Sequence, residues 1–278
     1  MVLESLLDPK KAEERPWELF FLGVAYASFA LVLSLWVFKG YASIVMVSLT
    51  AICSVPLIYN IIKKEAEKDE SKHTEFWLMK EHGKAVTAFT FLFLGFVAAF
   101  LIWFIILPST TVQSIFEAQI ATISHITATP TGSVVNAGAI GGLLLNNMKI
   151  LIFCFLFSFF FGAGAIFILT WNASVVATAI GAFVRNNVLS HAGGSIAAYS
   201  QLISLGILKY MTHGVFEIVA YFIGALAGGI FSVAVIRHDF KTSQFRKTLL
   251  DSIDIFLIAA ALLVVAAGVE VFVTPFIA

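Results

Sequence analysis

Residues Tyr210–Gly229 read "YMTHGVFEIVAYFIGALAGG". The stretch is apolar enough to lie in a bilayer, yet it opens with His213 and carries Glu217 four residues on, a spacing that puts both on one face of a helix. A run of about 20 apolar residues is the length that crosses a hydrocarbon core. Five further runs share that length: Trp17–Phe38, Tyr41–Ile62, Val86–Leu107, Lys149–Thr170 and Ile253–Val273, with Thr212–Ile236 holding the quoted motif. The chain has 278 residues, 60% of them hydrophobic and only 12% charged, too few to cover the outside of a water-soluble domain. The fold class expected is all-α, a polytopic transmembrane helical bundle. A formal net charge of zero gives nucleic acid no electrostatic handle. Cys53 and Cys154 fall inside apolar runs and read as small buried hydrophobes. The opening "MVLESLLDPKKAEERPW" is too polar for a cleavable leader, so the first span is expected to be its own uncleaved insertion signal.

The basic residues set an orientation. Lys10, Lys11 and Arg15 precede the first span, six lysines lie between Ile62 and Ala85, four Lys or Arg follow Ile236, and none falls between Pro108 and Met148. The positive-inside rule places the N-terminus and the 63–84 and 237–250 loops in the cytoplasm, with 108–148 outside. Parity then demands one more crossing between Asn172 and Met211, and a C-terminus outside. Ala173–Val184 is short for a span and Ile196–Met211 polar for one, so the seventh crossing is expected to be irregular or broken. Such backbone is tolerated at membrane depth only when protein or a cavity surrounds it. Within 108–148, "VQSIFEAQIATISHI" has helical spacing and reads as an interfacial helix. "TATPTGSVVNAGAIGG" reads as a loop. The alternating charges of "KKEAEKDESKHTEFWLMKEHGK" read as a solvated helical loop.

This topology gathers His213, Glu217, Glu270, Asn146 and Asn147 near one side of the membrane, with Thr212 capping the helix that starts there. Ionisable groups within a bilayer are costly and turn toward the bundle. Two readings stay open: an outward-facing polar pocket in which the glutamates hold a proton or cation, and a set of interhelical hydrogen bonds. Ala220, Gly224 and Gly228 repeat a small residue every fourth position and mark a face for close helix packing. Catalytic signatures do not emerge. His213 with Glu217 supplies two zinc ligands where a catalytic site needs three, "GGSIA" lacks the last glycine of a nucleophile elbow, and no phosphate loop is present. No cofactor or metal is expected.

"LLNNMKILIFCFLFSFFFGAGAIFILTWNAS", "THGVFEIVAYFIGALAGG" and "AAGVEVFVTPFI" occur in this order, and together they resemble the stage II sporulation protein M family. The match rests on the Asn pair opening a span, an Asn after it, a His-Gly-x-x-Glu helix followed by small residues, and a last helix with Glu near Thr-Pro. The family tends to have Asn-Gly where this chain has Asn172-Ala173, and Pro where it has Thr212. The resemblance covers Val86 to the C-terminus and implies a division: 1–62 as a tail with an added transmembrane hairpin, 63–85 as a cytoplasmic charged loop, and 86–278 as a core of five spans. It carries the family's polar residues onto Asn146, Asn147, Asn172, His213, Glu217 and Glu270. The namesake anchors a peptidoglycan-remodelling complex without being its hydrolase. The expectation is therefore a non-enzymatic membrane scaffold, a homo-oligomer that assembles with other membrane or envelope proteins. The alternative is a transporter, channel or permease subunit for a small solute, ion or lipid.

Overall fold

The computed structural model describes residues 9–69, 75–128, 137–188, 195–237 and 242–276. Ten α-helices occupy them, with no strand among the described residues: α1 Pro9–Glu14, α2 Pro16–Val37, α3 Ala42–Asp69, α4 Glu75–Ile106, α5 Ser109–Ile115, α6 Glu117–Ala128, α7 Ala137–Phe161, α8 Ala165–Asn187, α9 Ile196–Arg237 and α10 Ser243–Phe272. Seven of these, α2–α4 and α7–α10, are long and apolar enough to cross a membrane. The all-α bundle read from the runs is present.

Helix starts follow local chemistry. Pro16 opens α2, where its fixed φ suits a first turn and its missing N–H costs nothing. Thr242 caps α10 by accepting the Phe245 N–H. The apolar part of α3 ends at Ile62, and its last turns, like the first turns of α4, carry charge. These turns mark the charged end of the bundle; α5 and α6 cover the opposite end.

The seventh crossing corrects the sequence reading. The run 149–170 is not one helix: α7 stops at Phe161, Gly162 takes φ +69°, and α8 starts at Ala165. A positive φ is open to glycine and strained for other residues, so the chain reverses here inside an unbroken apolar stretch. The crossing between Asn172 and Met211 is therefore mostly α8, a regular helix. Three of its polar residues are absorbed by its own backbone. Thr170, Asn172 and Thr178 donate to the carbonyls of Ile166, Ile168 and Ser174 at 2.7–2.9 Å. A side chain satisfied four residues back imposes little of its desolvation cost on the helix.

Two further boundaries move. α9 runs 42 residues from Ile196, so Thr212 caps nothing; its hydroxyl donates to the Leu208 carbonyl within the helix. Ala137–Gly142, read as loop, already belongs to α7, while 129–136 lie outside the described residues.

The helix read along 112–126 is present as α5 and α6, and α6 is docked rather than lying free. Gln119 is fully buried. It accepts from the Ser43 hydroxyl of α3 at 3.3 Å and donates to Ser174 Oγ of α8 at 3.1 Å, while Phe116 packs edge-on to Phe104. Gln119→Leu removes two neutral hydrogen bonds and should cost about 1–2 kcal/mol. Hydrogen exchange should then quicken in α6 and leave α9 unchanged; equal rates in α6 would mean the docking does not depend on Gln119.

α9 is the spine. It touches α3, α4, α7, α8 and α10, and 72% of its most apolar stretch is buried, against 22% for α7 and for α10. The N-terminal hairpin is built into the bundle. α2 lies along α4 with Gly23 facing Gly95, and Trp103 Nε1 donates to Ser28 Oγ at 3.0 Å, while α3 packs between α8 and α9.

Candidate functional site

Glu217 stands half-way along α9, not in its first turns. One turn further along, Phe222 packs on Phe89 and Phe93 in the apolar part of α4, so the carboxylate lies well within the depth of the bundle. Asn147 of α7, almost fully buried, donates its Nδ2–H to Glu217 Oε1. Glu270, near the end of α10, lies close enough to Glu217 for their charges to act on each other. His213, one turn before Glu217, meets the Thr274 hydroxyl at 3.3 Å, just past the end of α10. Three helices therefore converge here, brought together by the small residues of α9. Gly224 faces Leu151 of α7, and a side chain at Gly228 would strike the Phe155 carbonyl.

The tertiary structure divides the residues read from the sequence. Asn147, His213, Glu217 and Glu270 come together. Asn146 points away from the bundle, exposed, because it follows a different face of α7 from Asn147. Asn172 sits on α8 and bonds its own helix carbonyl, taking no part in the cluster. Ala220, Gly224 and Gly228 pack the α7–α9 seam. The chemistry available is that of two half-buried carboxylates with an amide donor and an imidazole alongside. It can hold a proton or a small cation, or simply bind the helices together.

Glu217→Ala strands the Asn147 amide in a dry seam and should cost about 1–3 kcal/mol, the penalty of an unsatisfied buried donor. Glu217→Gln keeps an acceptor for Asn147 and should cost under about 1 kcal/mol. Thermal unfolding in nanodiscs separates the two, and equal losses would show that charge, not the hydrogen bond, matters here.

A second polar assembly was not legible as such. The alternating charges of 63–84 point to a solvated segment, but its described part closes a buried network at the charged end. Glu65 is fully buried. His82 Nδ1 lies 2.8 Å from its Oε2, and Lys68 bonds its other oxygen. Glu13 of α1 reaches Lys64 at 2.8 Å and Lys68 at 2.9 Å, and Glu81 joins Lys68 at 3.3 Å. The signal available in the sequence was the Glu65–Lys68 spacing of one helical turn; the burial comes from α1 and α4 packing against this end of α3.

Seven apolar helices, one of them a buried spine on which five others pack, define a multi-pass integral membrane protein. Comparison with known families narrows this: residues 87–275 match the family described as stage II sporulation protein M, and the chain belongs to that family. No curated protein matches the chain, and no solved structure does.

Proposed function

We propose that the protein is a non-enzymatic scaffold of the cell membrane that forms a homo-oligomer and assembles with other membrane or envelope proteins. The observation that carries this reading is the pair of ties Asn147–Glu217 and His213–Thr274. They fasten α7 and α10 to the spine and so fix two broad apolar faces, including Phe153 and Phe157 on α7 and Leu257 and Val264 on α10, which are exposed in the single chain. Fixed apolar faces suit defined contacts with other spans, where packing and small residues drive association. The distribution of Lys and Arg supports a cytoplasmic N-terminus and charged end, with the C-terminus outside. The test places a photo-crosslinker at Phe157 or Leu257 in cells and recovers the adducts in mild detergent, with Glu217→Ala alongside. Defined protein adducts that weaken in Glu217→Ala support the scaffold. Lipid adducts alone overturn it.

A second reading rests on a separate observation: Glu217, Glu270 and His213 meet half-way along a spanning helix, the placement of a proton or cation relay. Proteoliposomes loaded with a pH-sensitive dye test it. Flux that disappears in folded Glu217→Gln would favour transport over scaffolding.

A further inference from the structure

At the end of the bundle opposite the charged network, the turn joining α2 to α3 and the start of α6 enclose a groove of about 310 Å³. Gly40, Tyr41 and Ser43 form one wall, Glu117, Ala118 and Ala121 the other. The floor is preformed: Ser43 Oγ donates to Gln119 and accepts the Ala118 N–H at 3.2 Å, so both walls are tied below the opening. Most binding sites are concave and built before the ligand arrives.

Each wall offers a different chemistry. Glu117, in the first turn of α6, is exposed and has no ion pair among the described residues. Tyr41 is 76% exposed, and the π-face of a tyrosine ring attracts a cation. Lys39 stands on the same turn, exposed, next to Gly40. Ile44 lines the groove near the start of α3 and is exposed. Depth is marked independently. Trp36, Phe38 and Tyr41 form an exposed aromatic group at this helix end, and aromatic belts sit at headgroup level. The carboxylate and ring lining the groove, the lysine beside it and the isoleucine within it therefore offer partners for an ammonium, a phosphate and a hydrocarbon chain.

We propose that this groove seats the headgroup of an ethanolamine-type zwitterionic phospholipid, with the ammonium between Glu117 and Tyr41 and the phosphate toward Lys39. The proposal is independent of the scaffold reading, since neither Asn147 nor Glu217 takes part. The test reconstitutes the full chain in nanodiscs of equal phosphatidylethanolamine and phosphatidylglycerol, and then counts the lipids that stay bound by native mass spectrometry. An exposed carboxylate and a cation–π contact together should favour the ethanolamine lipid roughly three- to tenfold. Glu117→Lys should reverse the preference toward phosphatidylglycerol, and Tyr41→Leu should weaken it. Glu117→Gln removes the charge without placing a cation at the start of α6, which guards against a folding defect, and should abolish most of the preference. Equal retention of the two lipids by the wild type, or full preference in Glu117→Gln, overturns the proposal.

Discussion

Gly95→Val is expected to separate α2 from α4 and destabilise the protein by about 3 kcal/mol, the upper part of the range for overpacking. A Cβ at position 95 would collide with the Phe20 carbonyl, and one at Gly23 with the Leu92 carbonyl. Backbone cannot swing aside as a side chain can, so the helices must move apart as units. The Trp103–Ser28 hydrogen bond between the same two helices should break with them. Thermal unfolding in nanodiscs followed by tryptophan fluorescence reads both effects. Gly268→Ala is the control: its site on α10 has nothing within 4 Å, and alanine there should be neutral or stabilising by up to about 1 kcal/mol. A Gly95→Val midpoint as high as that of Gly268→Ala would remove the Gly23–Gly95 contact from the fold.

Glu65→Ala should be as damaging, about 3–5 kcal/mol, because deleting one member of a buried ion pair leaves its partners desolvated and unmatched. Here the stranded groups are His82, almost fully buried, and one of the contacts of Lys68. Lys84 gives the contrast. It pairs with Glu81 at the surface, its side chain 46% exposed, and Lys84→Ala should cost under about 1 kcal/mol and depend on salt. The Glu65 loss should be nearly insensitive to salt, since ions do not screen a buried pair well. Replacing Glu65, Lys68 and His82 together by apolar residues of similar volume should recover much of the stability, as buried ionic groups often yield to packing. If Glu65→Ala and Lys84→Ala unfold alike, the network is a surface one and α1 is not held by it.

The scaffold and lipid-seat proposals use different parts of the molecule and fail separately. Loss of headgroup selectivity in Glu117→Gln leaves the α7–α9–α10 ties intact, and loss of adducts in Glu217→Ala leaves the groove untouched.

The legible part of the candidate site was the part set by helical period. His213 and Glu217 four residues apart, and small residues at 220, 224 and 228, could be placed on faces of a helix without knowing its neighbours. Asn146 and Asn147 were indistinguishable in the sequence because adjacent residues point about 100° apart on a helix, and only docking on α9 selects one. Gln119 looked like any polar residue of an amphipathic segment; its role depends on Ser43 and Ser174, which are far away in the chain.

By itself the sequence determined that this is an all-α membrane protein with several crossings, because apolar run length is a local property that no tertiary contact can alter. Tertiary structure alone decided where the run at 149–170 divides, since a glycine at positive φ looks like any other glycine until the chain turns on it. It decided that the hairpin 17–62 belongs to the bundle, because two glycines 72 positions apart matter only once their helices cross. And it decided which glutamates are buried: solvation depends on what lies around a side chain, and Glu65 is closed in by Lys68, by His82 of α4 and, through Lys68, by Glu13 of α1.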